Sequence, residues 1–376
     1  MGDDPLGATA LAVRAERVRE TMRELGVDAL LLSLGADLPW LTGYTAMPLE
    51  RLTMLVLPTD ADATLVLPRL EAPRVVEHPM LFALRPWSET EDPVAVVAEL
   101  LDRAPRARLA ISDRCWATFV LQLQARLPAA SWLPASIVTA PLRAVKDAAE
   151  VAALRRAANA ADRVATDLVT GAIALIGRSE AQVSADIGRR LRAEGHDKVN
   201  FAIVGSGPNS ASPHHDAGDR VIRAGDSVVC DFGGTMAGYC SDITRTVWTG
   251  TKEPPAEFRD LYAVLEHAQR AAVDAATIGT PCEDVDGVAR RIITDGGYGD
   301  AFIHRTGHGI GLEEHEDPYL VGGNCTALAP GHAFSVEPGI YLAGRYGARI
   351  EDIVVATDAG PDALNAVDHG LALVDA

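Results

Sequence analysis

In VVCDFGGTMAGYCSDITRT, residues 228–246, Asp231 follows the apolar run Val228-Val229-Cys230, and Asp242 interrupts a second run of strand-forming residues. Gly233, Gly234 and Gly238 lie between them, so the two runs can form a hairpin that sets the acids side by side. Strands are depleted in aspartate. An ionised carboxylate taken out of water is costly unless it is paired, hydrogen-bonded or bound to a metal. Two acids near a turn are usually solvated, so the pair gains meaning only from what the rest of the chain brings to it.

Working outward, HRTGHGIGLEEHEDP, residues 304–318, sets His304, His308 and His315 among Gly307, Gly309 and Gly311. Each glycine costs a helix about 1 kcal/mol relative to Ala. That excludes a helical zinc site with histidines at i and i+4, and the HExxH pattern is absent. The glycines instead let the backbone run close to something, as it does near ligands. Glu337 in FSVEPGIY and Glu351 in ARIEDIVV each stand in an apolar strand pattern that disfavours glutamate. Four carboxylates on four strand-like segments, with a histidine loop, point to one centre. Oxygen ligands with an imidazole suit Mn, Co, Fe or Zn. Four negative charges repel one another without metal and can neutralise two divalent cations. Two such ions ~3.5–4 Å apart can activate water and polarise a carbonyl, the usual recipe for hydrolysing an amide.

The 376 residues exceed one ordinary core, so two domains are expected. Periodicity predicts a helix over 10–25 ending at Gly26, strands in DALLLSL, LTMLVLP, ATLVLP and RLAIS, a turn at LPWLTGY (38–44) and a helix near 92–103. This alternation predicts an α/β domain over residues 1–140. From residue 141, LRAVKDAAEVAALRRAANAADRVATDLV (142–169) predicts one long amphipathic helix. SEAQVSADIGRRLRAEG (179–195) predicts a second, capped by Ser179. Mostly antiparallel strands follow in NFAIVGSG, DSVVCDFGG, YCSDITRTVWTG, HAFSVEPGIY and ARIEDIVVAT, with helices near 256–276 and 282–296. Residues 141–376 therefore read as an α+β domain, with the boundary near 140–146.

Composition narrows the function classes. The chain is 48% hydrophobic and 23% charged, and its 52 acidic against 34 basic residues give a net charge of −18. Such a surface repels phosphate backbones, so nucleic acid is not an expected partner. No apolar run nears the ~20 residues that span a bilayer, so no membrane association is expected. MGDDPLGATA has no secretory pattern. Leu6 stands where myristoylation needs Ser or Thr. Cys115, Cys230, Cys240, Cys282 and Cys325 form an odd set without a CxxC pair, which reads as reduced thiols in the cytoplasm. There is no nucleophile elbow, phosphate loop or dinucleotide fingerprint. Strand alternation turns Cys230 away from Asp231, so it reads as a packing residue.

The five segments, in this order, resemble the pita-bread metallopeptidases, which include Xaa-Pro dipeptidase (prolidase), aminopeptidase P and methionine aminopeptidase. The likeness extends to residues 1–140, which resemble the creatinase-type N-terminal domain through DLPWLTGY and the LRAVKDAAEV junction. Carried over by motif, it implies metal ligands at Asp231 in DFGG, Asp242 in SDITRT, His308 in TGHGIG, Glu337 in SVEPG and Glu351 in RIED. Asp242 and Glu351 would bridge two metals, Asp231 would hold one, and His308 and Glu337 the other. His214 in SASPHHDAGDR matches a substrate-side histidine. His315 in EEHEDP matches one that meets the scissile carbonyl or the tetrahedral intermediate. His304 and Arg349 match residues that line the substrate pocket.

The resemblance implies hydrolysis of Xaa-Pro peptide bonds by a dinuclear metal enzyme, with Xaa-Pro dipeptides as substrates and Glu337 as proton shuttle. The oxyanion would be met by metal and His315. Manganese is the expected metal, with cobalt, zinc or iron as alternatives. An aminopeptidase P acting on longer peptides, a family hydrolase of a non-peptide amide, and a non-catalytic binding module are the competing readings. The resemblance also implies a homodimer.

Overall fold

In the computed structural model, which describes residues 5–101 and 106–375, the chain divides into two units, Met1–Arg143 and Ala144–Ala376. The first unit is built from α1 (Ala8–Leu25), β1 (Ala29–Leu32), α2 (Asp37–Thr42), β2 (Met54–Pro58), β3 (Ala63–Pro68), β4 (Phe82–Trp87), α3 (Pro93–Leu101), β5 (Arg108–Ile111), α4 (Ala117–Arg126), β6 (Ser131–Pro134) and α5 (Ser136–Ala144). Its sheet runs β4-β3-β2-β1-β5-β6, with the fully buried β1 at its centre. The left-handed Gly26, at φ +63°, closes α1 where the sequence predicts a stop. Residues 38–44 are not a plain turn. Pro39 is tolerated in the first turn of a helix, and Gly43 at φ +69° caps α2 by donating to the Pro39 carbonyl. β4, α4 and β6 have no counterpart in the sequence reading. Residues 102 and 103 of the predicted 92–103 helix, and the first four residues, lie outside the described residues.

The second unit contains α6 (Ala148–Val169), α7 (Glu180–Ala193), β7 (Lys198–Ser206), β8 (Ser227–Met236), β9 (Tyr239–Cys240), β10 (Ile243–Thr249), α8 (Ala256–Ala275), α9 (Cys282–Asp295), β11 (Gly307–Gly309), β12 (Glu316–Leu320), β13 (Ala333–Val336), β14 (Gly339–Leu342), β15 (Tyr346–Arg349), β16 (Asp352–Thr357), β17 (Gly360–Ala363) and β18 (Ala372–Val374). The single helix predicted over 142–169 is broken. Val145 bridges to His332, and the buried Lys146 pairs with Glu316 at 2.7 Å. Asp147 then starts α6 through a capping box with Glu150. Ser179 caps α7 in the same way, as predicted.

Two sheets form the body of this unit. One runs β18-β10-β8-β7, and Cys230, Phe232, Ile243 and Val247 from it pack with Val164, Leu168, Val183, Ile187 and Leu191 of α6 and α7. The other runs β12-β11-β13-β16-β17. Phe334, Val336 and Val354 from it, with Ile340, Ala348 and Ile350 of the β14–β15 region, pack with Phe258, Leu261, Leu265, Val285, Ala289 and Ile293 of α8 and α9. Alternation then dictates where the polar residues go. Asp231 and Thr244 fall between residues committed to the first core. Ser335, Arg349 and Glu351 fall between, or next to, residues committed to the second. Both polar faces therefore point away from the helices, and a bridge between Thr244 and Glu351 joins the two sheets there. Among the described residues no helix is long and apolar enough to cross a membrane.

Candidate metal centre

Asp231 lies within β8, opposite Thr244 of β10. Asp242, Glu337 and Glu351 were expected inside strands, but each sits in a break: between β9 and β10, after β13, and between β15 and β16. A break frees the carboxylate from strict alternation, so it can turn to a shared point. Pro338 contributes one break by lacking a ladder donor. His308 is the middle residue of β11, between two glycines. Those glycines are needed for backbone approach, not approach to a ligand. A Cβ on Gly307 would lie 1.9 Å from the Ser335 carbonyl oxygen, and one on Gly309 would lie 2.2 Å from that of Asp317.

All five residues line one cavity of about 320 Å³, together with His214, His304, Arg305, Glu314, His315 and Arg349, and with Phe201, Ile203 and Pro213 as its apolar part. One ligand atom each from Asp242, His308 and Glu351 lies within 4.8 Å of the others. His308 Nδ1 faces the Gly309 carbonyl at 3.1 Å and so carries the proton, because a carbonyl can only accept. Its Nε2 lone pair then faces Glu337 Oε1 at 3.3 Å and Asp242 Oδ2 at 3.8 Å. Asp231 Oδ1, Asp242 Oδ1 and Glu351 Oε1 are buried and have no hydrogen-bond partner among the described residues. Buried acceptors turned toward acceptors are unfavourable unless protons or a cation lie between them. This donor set fits divalent cations with mixed oxygen and imidazole ligands.

The electrostatics agree. Burial, then the Glu351 charge, pushes Asp242 well above the ordinary carboxylate range. Burial, then Glu337, does the same to Glu351. Burial raises Glu337 to about 7, against the opposing pull of Arg349. Burial, then His315, lowers His308 to about 3, so its imidazole stays neutral and able to ligate.

Around this core, Arg349 holds Asp231 in a buried ion pair. Its other nitrogens donate to Thr244 Oγ1 at 3.1 Å, the Pro213 carbonyl at 3.3 Å and the Tyr341 hydroxyl at 2.8 Å. Each guanidinium nitrogen therefore has a protein partner. Tyr341 in turn donates to His304 Nε2 at 2.9 Å, since His304 Nδ1–H is committed to the Arg305 carbonyl at 2.7 Å. Burial, then Arg349, lowers His304 to about 4. Thr244 Oγ1 also donates to Glu351 at 2.6 Å. His315 is exposed, with its ring centroid 3.9 Å from that of His308. The His214 ring lines the cavity without a hydrogen bond among the described residues.

Sequence reading missed Tyr341, Thr244 and Ser335, which orient the charged groups, and Arg305. The half-buried Arg305 lies over the Tyr319 ring, and among the described residues its guanidinium has no carboxylate partner. Its position within HRTGH, one residue from His304, was the available signal.

Comparison with known proteins places these features in context. Residues 152–358 match metallopeptidase family M24, and residues 14–145 match the creatinase/prolidase N-terminal domain. The chain is similar to the dipeptidase PepE from Mycobacterium ulcerans, at 44% identity and a TM-score of 0.92 over 98% of this chain and 99% of that one. It is similar to a recombinant prolidase from Thermococcus sibiricus, at 37% identity and a TM-score of 0.90 over 96% and 98% of the two chains. An Xaa-Pro dipeptidase from Bacillus anthracis matches at 30% identity and a TM-score of 0.88, over 97% and 100%.

Proposed function

This chain belongs to metallopeptidase family M24, and from that premise and the geometry of its acidic cavity we propose that it hydrolyses Xaa-Pro dipeptides at a centre of two divalent metal ions. It is a metallopeptidase with a pita-bread domain and a creatinase-type N-terminal domain, the fold class expected from sequence. The observation that carries the proposal is the convergence of three buried, unpartnered carboxylate oxygens on a cavity that also holds a neutral imidazole.

In this reading Asp231, Asp242, His308, Glu337 and Glu351 hold the metals. When bound, the metals supply Lewis acidity toward a carbonyl oxygen and acidify water near neutral pH. Glu337 takes the proton from the attacking water and returns it to the leaving nitrogen. His315 donates to the oxygen that gains charge. His214 and His304 border the bound peptide, and Arg349 holds Asp231 in place. Phe201, Ile203 and Pro213 offer an apolar wall to a proline ring, which has no N–H to leave unpaired. Arg305, which has no carboxylate partner among the described residues, supports a substrate with a free carboxylate near the scissile bond, and so favours a dipeptide over a longer peptide.

Manganese is the first metal to test. The five free cysteines suit a cytoplasmic location, and a homodimer completes the proposal. The deciding experiment measures cleavage of Ala-Pro, Ala-Pro-Ala and Ala-Ala by EDTA-stripped protein, with and without Mn²⁺, Co²⁺ or Zn²⁺. Metal-dependent cleavage of Ala-Pro alone is expected. Cleavage chiefly of the tripeptide moves the assignment to an aminopeptidase P. No cleavage by metal-loaded protein moves it to a non-peptide amide.

A further inference from the structure

His214 lines the cavity, yet no hydrogen bond holds its ring among the described residues. Its orientation is therefore set by the chain on either side. Residues 212–220 form neither helix nor strand. Among the described residues, His215 is the one side chain of residues 212–217 with a hydrogen bond: its Nε2–H donates to Glu180 Oε2 at 2.8 Å. The two neighbours go separate ways, His214 to the cavity and His215 to Glu180.

Glu180 is the first residue of α7 and is wholly buried. Its carboxylate accepts from Ser206 N at 2.8 Å, Ser206 Oγ at 2.6 Å, Asn209 Nδ2 at 3.1 Å and Gly218 N at 3.4 Å, besides His215. One side chain thus grips the loop at residues 206 and 209 before His214, and at 215 and 218 after it. Backbone bonds fasten the far end: Glu180 N donates to the Arg220 carbonyl at 3.0 Å, and Ala181 N to that of Gly218 at 3.0 Å. Arg220, paired with Asp226, also donates to Ser206 Oγ. Five donors and the positive end of α7 make a buried carboxylate tolerable here. Inside the loop, the remaining polar tie on residues 212–217 to another element is the 3.3 Å bond from Arg349 to the Pro213 carbonyl.

We propose that Glu180, acting through His215, is the positioning residue for His214, holding the substrate-side imidazole against the cavity without touching the substrate. The proposal rests on the reading above, in which His214 borders the bound peptide. A buried carboxylate that merely closes the fold would give a different outcome in a double-mutant cycle, and this is the basis of the test.

In the Mn²⁺-loaded enzyme, His215→Phe keeps a ring but removes the donor, and His215→Gln keeps an N–H. His215→Phe is expected to lower kcat/KM for Ala-Pro by about 10- to 100-fold, the scale of loss for a group misplaced by about an ångström. His215→Gln should recover most of that. In a His214→Ala background, His215→Phe should cost less than about twofold, because the residue it positions is already gone. Losses that simply add overturn the proposal. Hydrogen–deuterium exchange of residues 210–218 supplies a readout that needs no turnover. It should quicken in His215→Phe at equal bound metal, and unchanged exchange overturns the proposal whether or not peptides are cleaved. A wild-type protein that cleaves no Xaa-Pro peptide overturns the reading of the reaction instead, and exchange then decides the loop anchor by itself.

Discussion

Glu337 shows how position gives an ordinary side chain a new property. A solvated glutamate is a poor base and a poorer acid near neutral pH. Burial raises this one to about 7, while Ser335 Oγ, at 3.3 Å, and Arg349 keep the carboxylate accessible. That value belongs to the metal-free chain; a bound cation lowers it, so the carboxylate is ready to accept a proton once metal is in place. Glu337→Gln keeps the size and one oxygen but cannot carry the proton. We expect kcat for Ala-Pro to fall by about 10²- to 10⁴-fold, the usual contribution of a proton-transfer residue. Metal content, measured by elemental analysis on the same sample, separates loss of the shuttle from loss of a ligand. Near-normal kcat in metal-loaded Glu337→Gln would rule out the shuttle role. His308 complements it from the other side of neutrality. With its pKa lowered to about 3, the imidazole takes up no proton over the working range and offers Nε2 at any pH the enzyme meets.

The cavity is also a product of how elements pair, and here the limits of sequence reading have physical causes. Asp231, Asp242, His308, Glu337 and Glu351 could be singled out because each breaks a local pattern, a carboxylate among strand residues or a histidine among glycines. The helices of the second unit were legible for a similar reason, since Ser179 and the apolar periodicity act within one segment. Partners distant in sequence left no local trace. Thr244 bonds Glu351 across 107 positions, Arg349 reaches back 118 to Asp231, and His215 reaches Glu180 across 35. The break at residues 145–147 was hidden for the same reason: its cause, the bridge from Val145 to His332 with the Lys146–Glu316 pair, lies in a distant strand region. Thr244 is where the two sheets meet, so it tests this level. Thr244→Val preserves shape but leaves Glu351 Oε2 and Arg349 Nε unpaired in the interior. Stability should drop by about 1–3 kcal/mol, the cost of stranding buried polar groups. Metal affinity should weaken by about 10- to 100-fold, the range for lost outer-shell support. Chemical denaturation and metal titration read the two effects. Unchanged metal affinity would mean that Thr244 holds the sheets together without supporting the site.

At the scale of the whole molecule, the cluster ties stability to pH and metal together. In metal-free protein Glu337 has a folded pKa of about 7 against an ordinary 4.5, and Asp242 and Glu351 shift in the same direction. Between 4.5 and about 7 these carboxyls bind more protons in the folded chain than in the unfolded chain, so their contribution to stability falls as pH rises through that window. Other buried acids act oppositely. Burial alone would raise Glu180, but hydrogen bonds from Ser206 and His215 outweigh it and hold the carboxyl below its ordinary value. Burial would likewise raise Asp352, yet Arg245 and His369 hold it low. Their stabilisation is present above the ordinary carboxylate range and is lost as pH falls through their depressed values. The buried histidines oppose the cluster below their ordinary 6.5, because burial lowers His308 to about 3 and His304 and His332 to about 4, so the unfolded chain takes up those protons first. Metal binding replaces the protons of the cluster, so affinity grows as pH rises through the window in which these carboxyls titrate. Any metal bound only by the folded state raises its stability by mass action. We therefore expect the midpoint of thermal unfolding in EDTA to decline from pH 7 to pH 8, above the window in which the histidines act. The upward shift on adding Mn²⁺ should be larger at pH 8 than at pH 5, with protons released on binding at pH 5 to 6 in calorimetry across buffers of different ionisation heat. A Mn²⁺ shift of equal size at both pH values, with no proton release, would mean that these carboxyls are ionised before the metal arrives. The buried oxygens of Asp231, Asp242 and Glu351 would then need another partner.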